Sequence, residues 1–364
     1  MRVHVVDPSA YTPPYDHALC AALGAAGAEV ELHTSRFAYG GVAPPAGYAR
    51  REDFYSVAAR VRNQRARRAV KLAEHLPDML RYRHTARAAE AVHFQWLTLQ
   101  HLDGRLLPPD RPLVLTAHDV LPREPRPGQR EAQRRLYERF HAIVVHGQHG
   151  RTRLVRELGV EDERVHVIPH GVLAPWQGAP ERPLPAELER AGKEPVVLFF
   201  GLLRPYKGLD VLLDAWRGVQ GAQLWIVGMP RMGLAPLRET APAGVRWLTR
   251  FVSDGEMHAL LRRASLVALP YREIEQSGVA FAALGAGTPL LLSDVGGFPD
   301  IAATGAARTF PAGDALALRT KLDELLGDPA ELERMATAAR AAAAGPYAWA
   351  PIARRTLALY ESLL

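Results

Sequence analysis

Short apolar runs, each followed by a turn and a helical pattern, recur along the whole chain, and this alternation restricts the fold more than any other feature. A run that can be buried on both faces and then feeds a helix is the sequence form of a parallel strand covered by helices. Strands are expected at Arg2–Val6 and Glu29–His33, with a helix over Tyr15–Gly27 between them. Further strands are expected at 92–95, 112–117, 142–146 and 165–168, with residues 54–90 mostly helical and more helices at 129–140 and 151–158. Pro169, Pro175, Pro180, Pro183, Pro185 and Pro195 then break the periodicity, as an interdomain linker does. Beyond them the alternation restarts. Strands are expected at 195–200, 222–227, 244–248, 265–269, 289–293 and 306–310, and helices at 208–218, 253–263, 276–286, 313–326, 329–343 and 347–364. The expected fold is therefore α/β: a Rossmann-like domain over 1–172, a linker over 173–194 and a second Rossmann-like domain over 195–346. Two such domains facing across a linker would form a cleft at the carboxyl ends of their strands, where ligands bind in such sheets.

Several function classes drop out early. Cys20 is the single cysteine, so neither an internal disulfide nor a cysteine-based metal site can form. The longest apolar runs, such as Val196–Leu203, are too short to span a bilayer. The strand pattern already begins at Met1–Asp7, so a signal peptide is not expected and a cytoplasmic location is. No G-x-G-x-x-G follows the first strand, which argues against a dinucleotide redox enzyme. The net charge of +6 sits entirely in the first half: residues 1–170 hold 25 Lys and Arg against 19 Asp and Glu, and residues 171–364 hold 20 of each. Residues 50–87 alone hold 11 basic and 4 acidic side chains. Such a block is either a solvated helix face or a surface for peripheral contact with an anionic membrane. Nucleic acid is not an expected partner.

The stretch PVVLFFGLLRPYKGLD (195–210) carries the clearest chemistry. A buried strand ends at Gly201, two cations follow at Arg204 and Lys207, and a helical pattern opens at Gly208. Free N–H groups, a positive dipole end and two formal charges together make a site for a diphosphate.

With these residues in view, the second half resembles the family 4 retaining glycosyltransferases of the GT-B fold. The resemblance is carried by GLLRPYKGLDVLLDAW (201–216), LWIVG (224–228), FVSDGEMHALLRRASLVALPY (251–271), AGTPLLLSDVGGFPDI (286–301) and YAWAPIARRTLALYESLL (347–364). The first half is similar more loosely, through TAHDV (116–120) and IPHGV (168–172). The resemblance implies a donor pocket in the second domain, an acceptor surface on the first, and a terminal helix 347–364 that crosses back to the first. It places Gly201, Arg204 and Lys207 at the diphosphate of a nucleotide-sugar donor, UDP- or GDP-linked, with no other cofactor. No Asp-x-Asp occurs in the chain, so protein cations are expected to take the role of a metal, and no metal site is expected. His118 matches a family histidine near the donor sugar. His170 stands where the family commonly has Asn-Gly.

The family's paired glutamates are altered. Counting back from Gly287 puts the first at Ile274 and the second at Ala282; counting from Gly278 puts the first at Glu275. The local sequence EIEQSGVAFAALGAGTP resembles a variant branch with Gln-Ser-Gly in place of the pair. Glu275 is the candidate sugar contact beside His118. Ser277 and Gly278 would open a helix toward the diphosphate, and Gln276 and Val279 would lie near sugar or nucleotide. On the acceptor side, Tyr11, Tyr15, Asp16 and His17 are expected at the mouth after the first strand, with Trp96 on the same wall. The resemblance thus implies transfer of a hexose-type sugar to a hydroxyl of a glycan, glycolipid or small molecule, with retention, as in surface polysaccharide synthesis. A nucleotide-sugar epimerase of the same architecture, or a non-catalytic nucleotide-sugar-binding relative, are the alternatives.

Overall fold

The computed structural model describes residues 1–121, 128–174, 182–189, 192 and 194–364. The chain forms two compact units: Met1–Gly171 together with Trp349–Leu364, and Val172–Ala348.

In the first unit β1 (Arg2–Asp7), β2 (Glu29–Ser35), β3 (Ala49–Phe54), β4 (Ala91–Phe94), β5 (Leu113–Thr116), β6 (Ala142–Val145) and β7 (Val165–Val167) form one parallel sheet in the order β3-β2-β1-β4-β5-β6-β7. The helices are α1 (Pro13–Ala25), α2 (Gln64–Thr85), α3 (Gln100–Leu106), α4 (Gln129–Tyr137) and α5 (Gln148–Thr152). Every residue of β4, β5 and β6 is buried, as expected for strands covered on both faces. The edge strand β3 reads ARREDF and pairs only with β2. Its charges keep an open edge from recruiting another strand. They also hid it: Arg50 and Arg51, the first members of the basic block 50–87, lie on this strand and not on a helix face. The helix expected from residue 54 onward begins only at Gln64, where the Asn63 side-chain oxygen accepts from the N–H groups of Arg65 and Ala66 at 2.9 and 3.1 Å.

The second unit opens with α6 (Ala186–Glu189). Its six strands, β8 (Val196–Phe200), β9 (Gln223–Val227), β10 (Val245–Leu248), β11 (Leu266–Leu269), β12 (Leu290–Ser293) and β13 (Ala307–Phe310), are parallel in the order β10-β9-β8-β11-β12-β13. Between and after them run α7 (Leu209–Ala215), α8 (Ala235–Glu239), α9 (Asp254–Arg263), α10 (Gly278–Ala286), α11 (Phe298–Ala302), α12 (Ala315–Gly327) and α13 (Pro329–Ala344). The central strands are apolar and closed to solvent: Val196–Phe199, Leu224–Val227 and Leu266–Leu269 are all 0% exposed. Helix starts follow local capping chemistry. Ser253 and Glu256 form a capping box on α9, and Asp314 and Asp328 accept from Ala317 and Glu331 N–H at 2.9 Å. Residues 175–181, 190, 191 and 193 of the expected linker lie outside the described residues. Leu188, also within it, is buried in the second unit's core, so this part belongs to that unit.

The chain ends in α14 (Trp349–Ser362), which packs on α1 in the first unit. Tyr360 anchors it, with its hydroxyl 2.5 Å from His93 Nδ1 on β4. Among the described residues no helix is long and apolar enough to cross a membrane.

Candidate active site

In both units the chemistry-bearing residues follow the carboxyl ends of adjacent strands. In the second unit β8 leads into Gly201, β9 into Gly228, β11 into Tyr271 and β12 into Gly296. The sheet order reverses between β8 and β11, so Gly201 stands at the switch point.

Backbone geometry there demands glycine. Gly201 has φ +118°, and a Cβ on it would lie 2.7 Å from Lys207 Nζ and 3.3 Å from Val279 Cγ2. Gly228 has φ +144°, and its Cβ would fall 1.8 Å from the Gly201 carbonyl oxygen. Only glycine allows both the dihedrals and this approach. The Lys207 ammonium therefore rests against the Gly201 backbone, on the face shared with Val279. Lys207 is buried, and its Nζ lies 4.8 Å from the centre of the Tyr271 ring, a cation–π contact. The turn that carries Lys207 is braced by Arg272, which forks onto Asp210 at 2.9 and 2.5 Å and donates to the Pro205 carbonyl at 3.0 Å. Arg204 is exposed.

The segment before α10 is folded onto a second glycine turn. A Cβ at Gly296 would meet the Ile274 carbonyl at 1.7 Å, and one at Gly297 the Gln276 amide at 2.2 Å. Gly297 N–H donates to the Glu275 carbonyl at 3.1 Å, which leaves Glu275 buried. Ser277 caps α10 by accepting from Ala280 N–H at 3.4 Å; the helix starts at Gly278, two residues later than expected. Ala282 is 1% exposed, inside an all-apolar helix turn, so that position offers no polar group. Gly201, Lys207 and Val279 thus converge, and Ser277 and Gly278 open the helix that presents Val279. Tyr271, Gly228 and Gly296–Gly297 were missed in the sequence; Gly228 had a signal, since it ends an apolar strand in the same manner as Gly201.

In the first unit the ends of β1, β4, β5, β6 and β7 deliver Asp7, Gln95 with Trp96, His118, His146 and His170. Trp96 stacks on His118 with ring centres 4.9 Å apart and planes 12° from parallel. The Trp96 indole N–H donates to Thr12 Oγ1 at 3.0 Å, and Tyr11 packs against Trp96 at 5.1 Å. Tyr11, Trp96, His118 and Gln95 line a cavity of about 490 Å³, together with Gln133 of α4. His118 lies 3.3 Å from His146 and 3.1 Å from Gln95. His146 and His170 are ring neighbours at 5.1 Å. Burial, then the neighbouring His146 and His170, holds His118 well below the usual histidine range, so it is neutral at neutral pH. Burial likewise lowers His146 to about 4 and His93 to about 3.

Tyr15 and Asp16 are 4% and 1% exposed; Asp16, with His17, lines a second, small cavity beside Thr34 and Tyr48. Tyr15 sits beneath the histidines, edge-on to His118 at 4.9 Å and against Trp349 at 5.2 Å. Asp16 shares a hydrogen bond with Asp7, and burial followed by the Asp7 charge pushes its carboxyl well up. Asp7 accepts from the N–H groups of Ser9, Tyr11 and Thr12, so it holds the loop that presents Tyr11. His17 is 3.1 Å from the Tyr48 hydroxyl. One group of the described residues, His4, Glu31 and His33 on β1 and β2, has ligand-like spacing for a metal, with the Arg51 guanidinium 3.6 Å from the Glu31 carboxylate.

Solved structures with this fold include sucrose-phosphate synthase from Thermosynechococcus elongatus (18% identical, TM-score 0.75, covering 100% of this chain and 99% of that one). Another is HepE from Anabaena in complex with UDP-glucose (18% identical, TM-score 0.73, covering 100% of both). Fold and strand-end site therefore define a GT-B-type protein. Residues 194–328 match the family described as glycosyl transferases group 1, and residues 15–173 match Glycosyltransferase Family 4. Each half of the chain thus carries a glycosyltransferase domain, of the family 4 description in the first and the group 1 description in the second. It is 30% identical over 279 residues to a D-inositol 3-phosphate glycosyltransferase from Nocardia farcinica, a match covering 70% of this chain and 62% of that protein. It is 32% identical over 188 residues to a GDP-mannose:glycolipid 4-beta-D-mannosyltransferase from Xanthomonas campestris, covering 50% of this chain and 49% of that one.

Proposed function

We propose that this protein transfers a hexose-type sugar, with retention, from a UDP- or GDP-linked donor to a hydroxyl of a glycan, glycolipid or small-molecule acceptor. The second unit binds the donor and the first the acceptor. The observation that carries this reading is the convergence of the Lys207 ammonium, the Gly201 backbone and Val279 at the switch point of the second sheet. A diphosphate set there would meet a cation already stripped of most of its water. As the bond from the anomeric carbon to the diphosphate breaks, negative charge grows on the leaving oxygens, and Lys207 with Arg204 stabilises it. No metal is required in this reading. On the second unit Gln276, Ser277 and Gly278 stand in the place of the acidic pair, with Glu275 as the sugar contact; on the first, His118 after β5 is the further sugar-positioning candidate and His170 follows β7. The test is release of nucleoside diphosphate from a panel of nucleotide sugars with mixed acceptors. Lys207→Ala should lower turnover by about two to three orders of magnitude with the fold intact; full activity in that variant contradicts the donor site.

The acceptor is proposed to be membrane-borne, with the protein cytoplasmic and peripheral on the inner face. The supporting observation is on α2, where Leu72, Leu76 and Leu80 are 60%, 45% and 49% exposed in one row. Arg65, Arg68 and Arg83 share that side by helical spacing. Apolar side chains flanked by arginines suit an anionic bilayer surface.

A further inference from the structure

Away from the strand ends, β1 and β2 bring a second set of chemistry-bearing side chains together in the first unit. The two strands pair with His4 opposite Glu31 and Val6 opposite His33. Alternation puts His4, Glu31 and His33 on one face of the sheet, and the pairing of His33 with Arg51 on β3 puts Asp53 there too. One ligand atom from each of His4, Glu31 and His33 lies within 4.8 Å of the others. Both imidazoles are 1% exposed, and their ring centres are 4.4 Å apart. Tyr82 of α2 packs against both rings.

His33 is bonded on one side only. Its Nδ1 is 2.9 Å from Asp53 Oδ2, and a carboxylate accepts, so Nδ1 carries a proton. Its Nε2 is buried with no hydrogen-bond partner among the described residues, and a Glu31 carboxylate oxygen stands 3.6 Å away, too far for one. A buried nitrogen left in this way calls for a physical reason. Bonds of about 2.0–2.1 Å around a tetrahedral ion place two ligand atoms about 3.4 Å apart. The spacing of 3.6 Å between His33 and Glu31 is close to that. Glu31 is partly exposed, which gives its carboxylate room to close on an ion and gives the ion a route in. Burial, then the neighbouring His33, lowers His4 to about 4, so its ring is neutral and offers a lone pair. His4 Nδ1 stands 3.5 Å from the Tyr82 hydroxyl, which accepts as readily as it donates, so either ring nitrogen can hold that lone pair. The charges of Glu31 and Asp53 together balance a divalent ion. Arg51, whose Nε is 3.6 Å from Glu31, is an exposed side chain, and such a surface pair holds little.

We propose that His4, His33 and Glu31 bind a divalent ion of the zinc class, with Asp53 as the positioning residue behind His33. Two imidazole nitrogens and one carboxylate suit such an ion, whereas magnesium and calcium call for oxygen sets. A carboxylate on the far nitrogen of a ligating histidine fixes its tautomer and its aim. Three protein ligands leave a fourth position for water. With both rings closed to solvent, the ion joins β1 to β2 and meets no substrate; it is a clip on the first sheet and takes no part in the transfer proposed above. Neither the single cysteine nor the missing Asp-x-Asp pointed to this site in the sequence, because the ladder between β1 and β2 builds it.

The experiment takes the full chain, freed of metal by a chelator, and titrates it with Zn²⁺ by calorimetry and with Co²⁺ by visible absorption. The expected result is one ion per chain, the ligand-field bands of a nitrogen- and oxygen-ligated cobalt site, and a higher unfolding temperature with Zn²⁺. His33→Gln should weaken binding by about a hundred-fold or more, since loss of an outer partner alone costs about ten- to a hundred-fold. Glu31→Gln, a change at a partly exposed side chain, gives the same test should His33→Gln not fold, with a loss of about ten-fold or more. Asp53→Asn should leave one ion per chain but weaken it about ten- to a hundred-fold; unchanged affinity there overturns the positioning role. No binding to the wild type, or equal affinity in the His33 and Glu31 variants, overturns the site, the second result by putting the ion elsewhere on the chain. In ¹⁵N NMR with Zn²⁺ present, His33 should keep its proton on Nδ1 and have none on Nε2. Protons on both nitrogens would mean an imidazolium paired with Asp53 and Glu31, and would overturn the site as well. Nucleotide-sugar turnover enters none of these readings, so the failure of this site and the failure of the transferase reading are separable.

Discussion

The two units share one plan, a parallel sheet with chemistry at the strand ends, yet they solve the polar problem in opposite ways. The second unit has an apolar core with fewer buried polar side chains, His258 and Glu275 among them, and its candidate site gathers glycine turns around one buried cation, Lys207. The first unit buries side-chain polarity outright: Asp7, Asp16, His93, Gln95, His146 and His170 are all under 9% exposed. Glycine turns present backbone and leave space, which suits a ligand common to many enzymes, a diphosphate. Buried side chains have directional hydrogen bonds, which suits a ligand that must be told from its relatives. In the proposed reading, the second unit takes the general part of recognition and the first the particular part.

The contrast is broken most severely at Gly228. Alanine there would need φ near +144° and would press into the Gly201 carbonyl, so Gly228→Ala should destabilise the second unit by more than about 3 kcal/mol. Hydrogen exchange should show protection lost from β8 and β9 while the first unit keeps its own. Acid sharpens the contrast from the other side. His93 and His146 stay neutral in the folded protein down to about 3 and about 4. Below the unfolded value near 6.5 the unfolded chain binds protons that the folded chain does not, so stability falls as pH drops from about 6.5 toward those values. Over those ranges the loss is about 3 kcal/mol for His146 and about 5 kcal/mol for His93. Exchange or chemical denaturation from pH 7 to pH 4 should therefore open the first unit before the second. The smallest effect expected is at the surface of α2. Replacing Leu72, Leu76 and Leu80 together by Asp should weaken binding to anionic vesicles roughly ten-fold at low salt, with neutral vesicles bound poorly by both forms. Equal sedimentation of the two proteins with anionic vesicles would remove the membrane proposal.

The second unit was the more legible in the sequence, for a physical reason. Its strands are apolar runs that end in Gly or a turn, and its helices carry local caps such as Ser253–Glu256, so short windows hold the whole signal. The strand β3 was not legible, because ARREDF has no apolar periodicity and its pairing comes from β2 alone. The same basic residues were read as part of a helical block. In the candidate site, Gly201 and Lys207 lie close enough in pattern to be named together; Val279 was named apart from them, near sugar or nucleotide, through the family resemblance. His118, His146 and Gln95 could only be named singly, or not at all: they are brought together by the order β4-β5-β6, which no local window contains. Tyr15 and Asp16 were placed at a mouth because polar and aromatic residues after a first strand often line one. The interior instead absorbs Tyr15, roofed by His118 and Trp349, while Asp16 is hydrogen-bonded to Asp7 at the wall of a small cavity that His17 also lines.

The central claim is that the second unit's glycine turn and Lys207 hold a nucleoside diphosphate. Calorimetric titration of UDP, GDP, ADP and TDP into the wild-type chain and into Lys207→Ala tests it most directly. The account predicts that one nucleotide binds the wild type and that its affinity falls at least ten-fold in a folded Lys207→Ala protein, the loss of a charge-assisted contact to phosphate. Equal affinity in the two proteins, or no binding of any nucleoside diphosphate to the wild type, would contradict it.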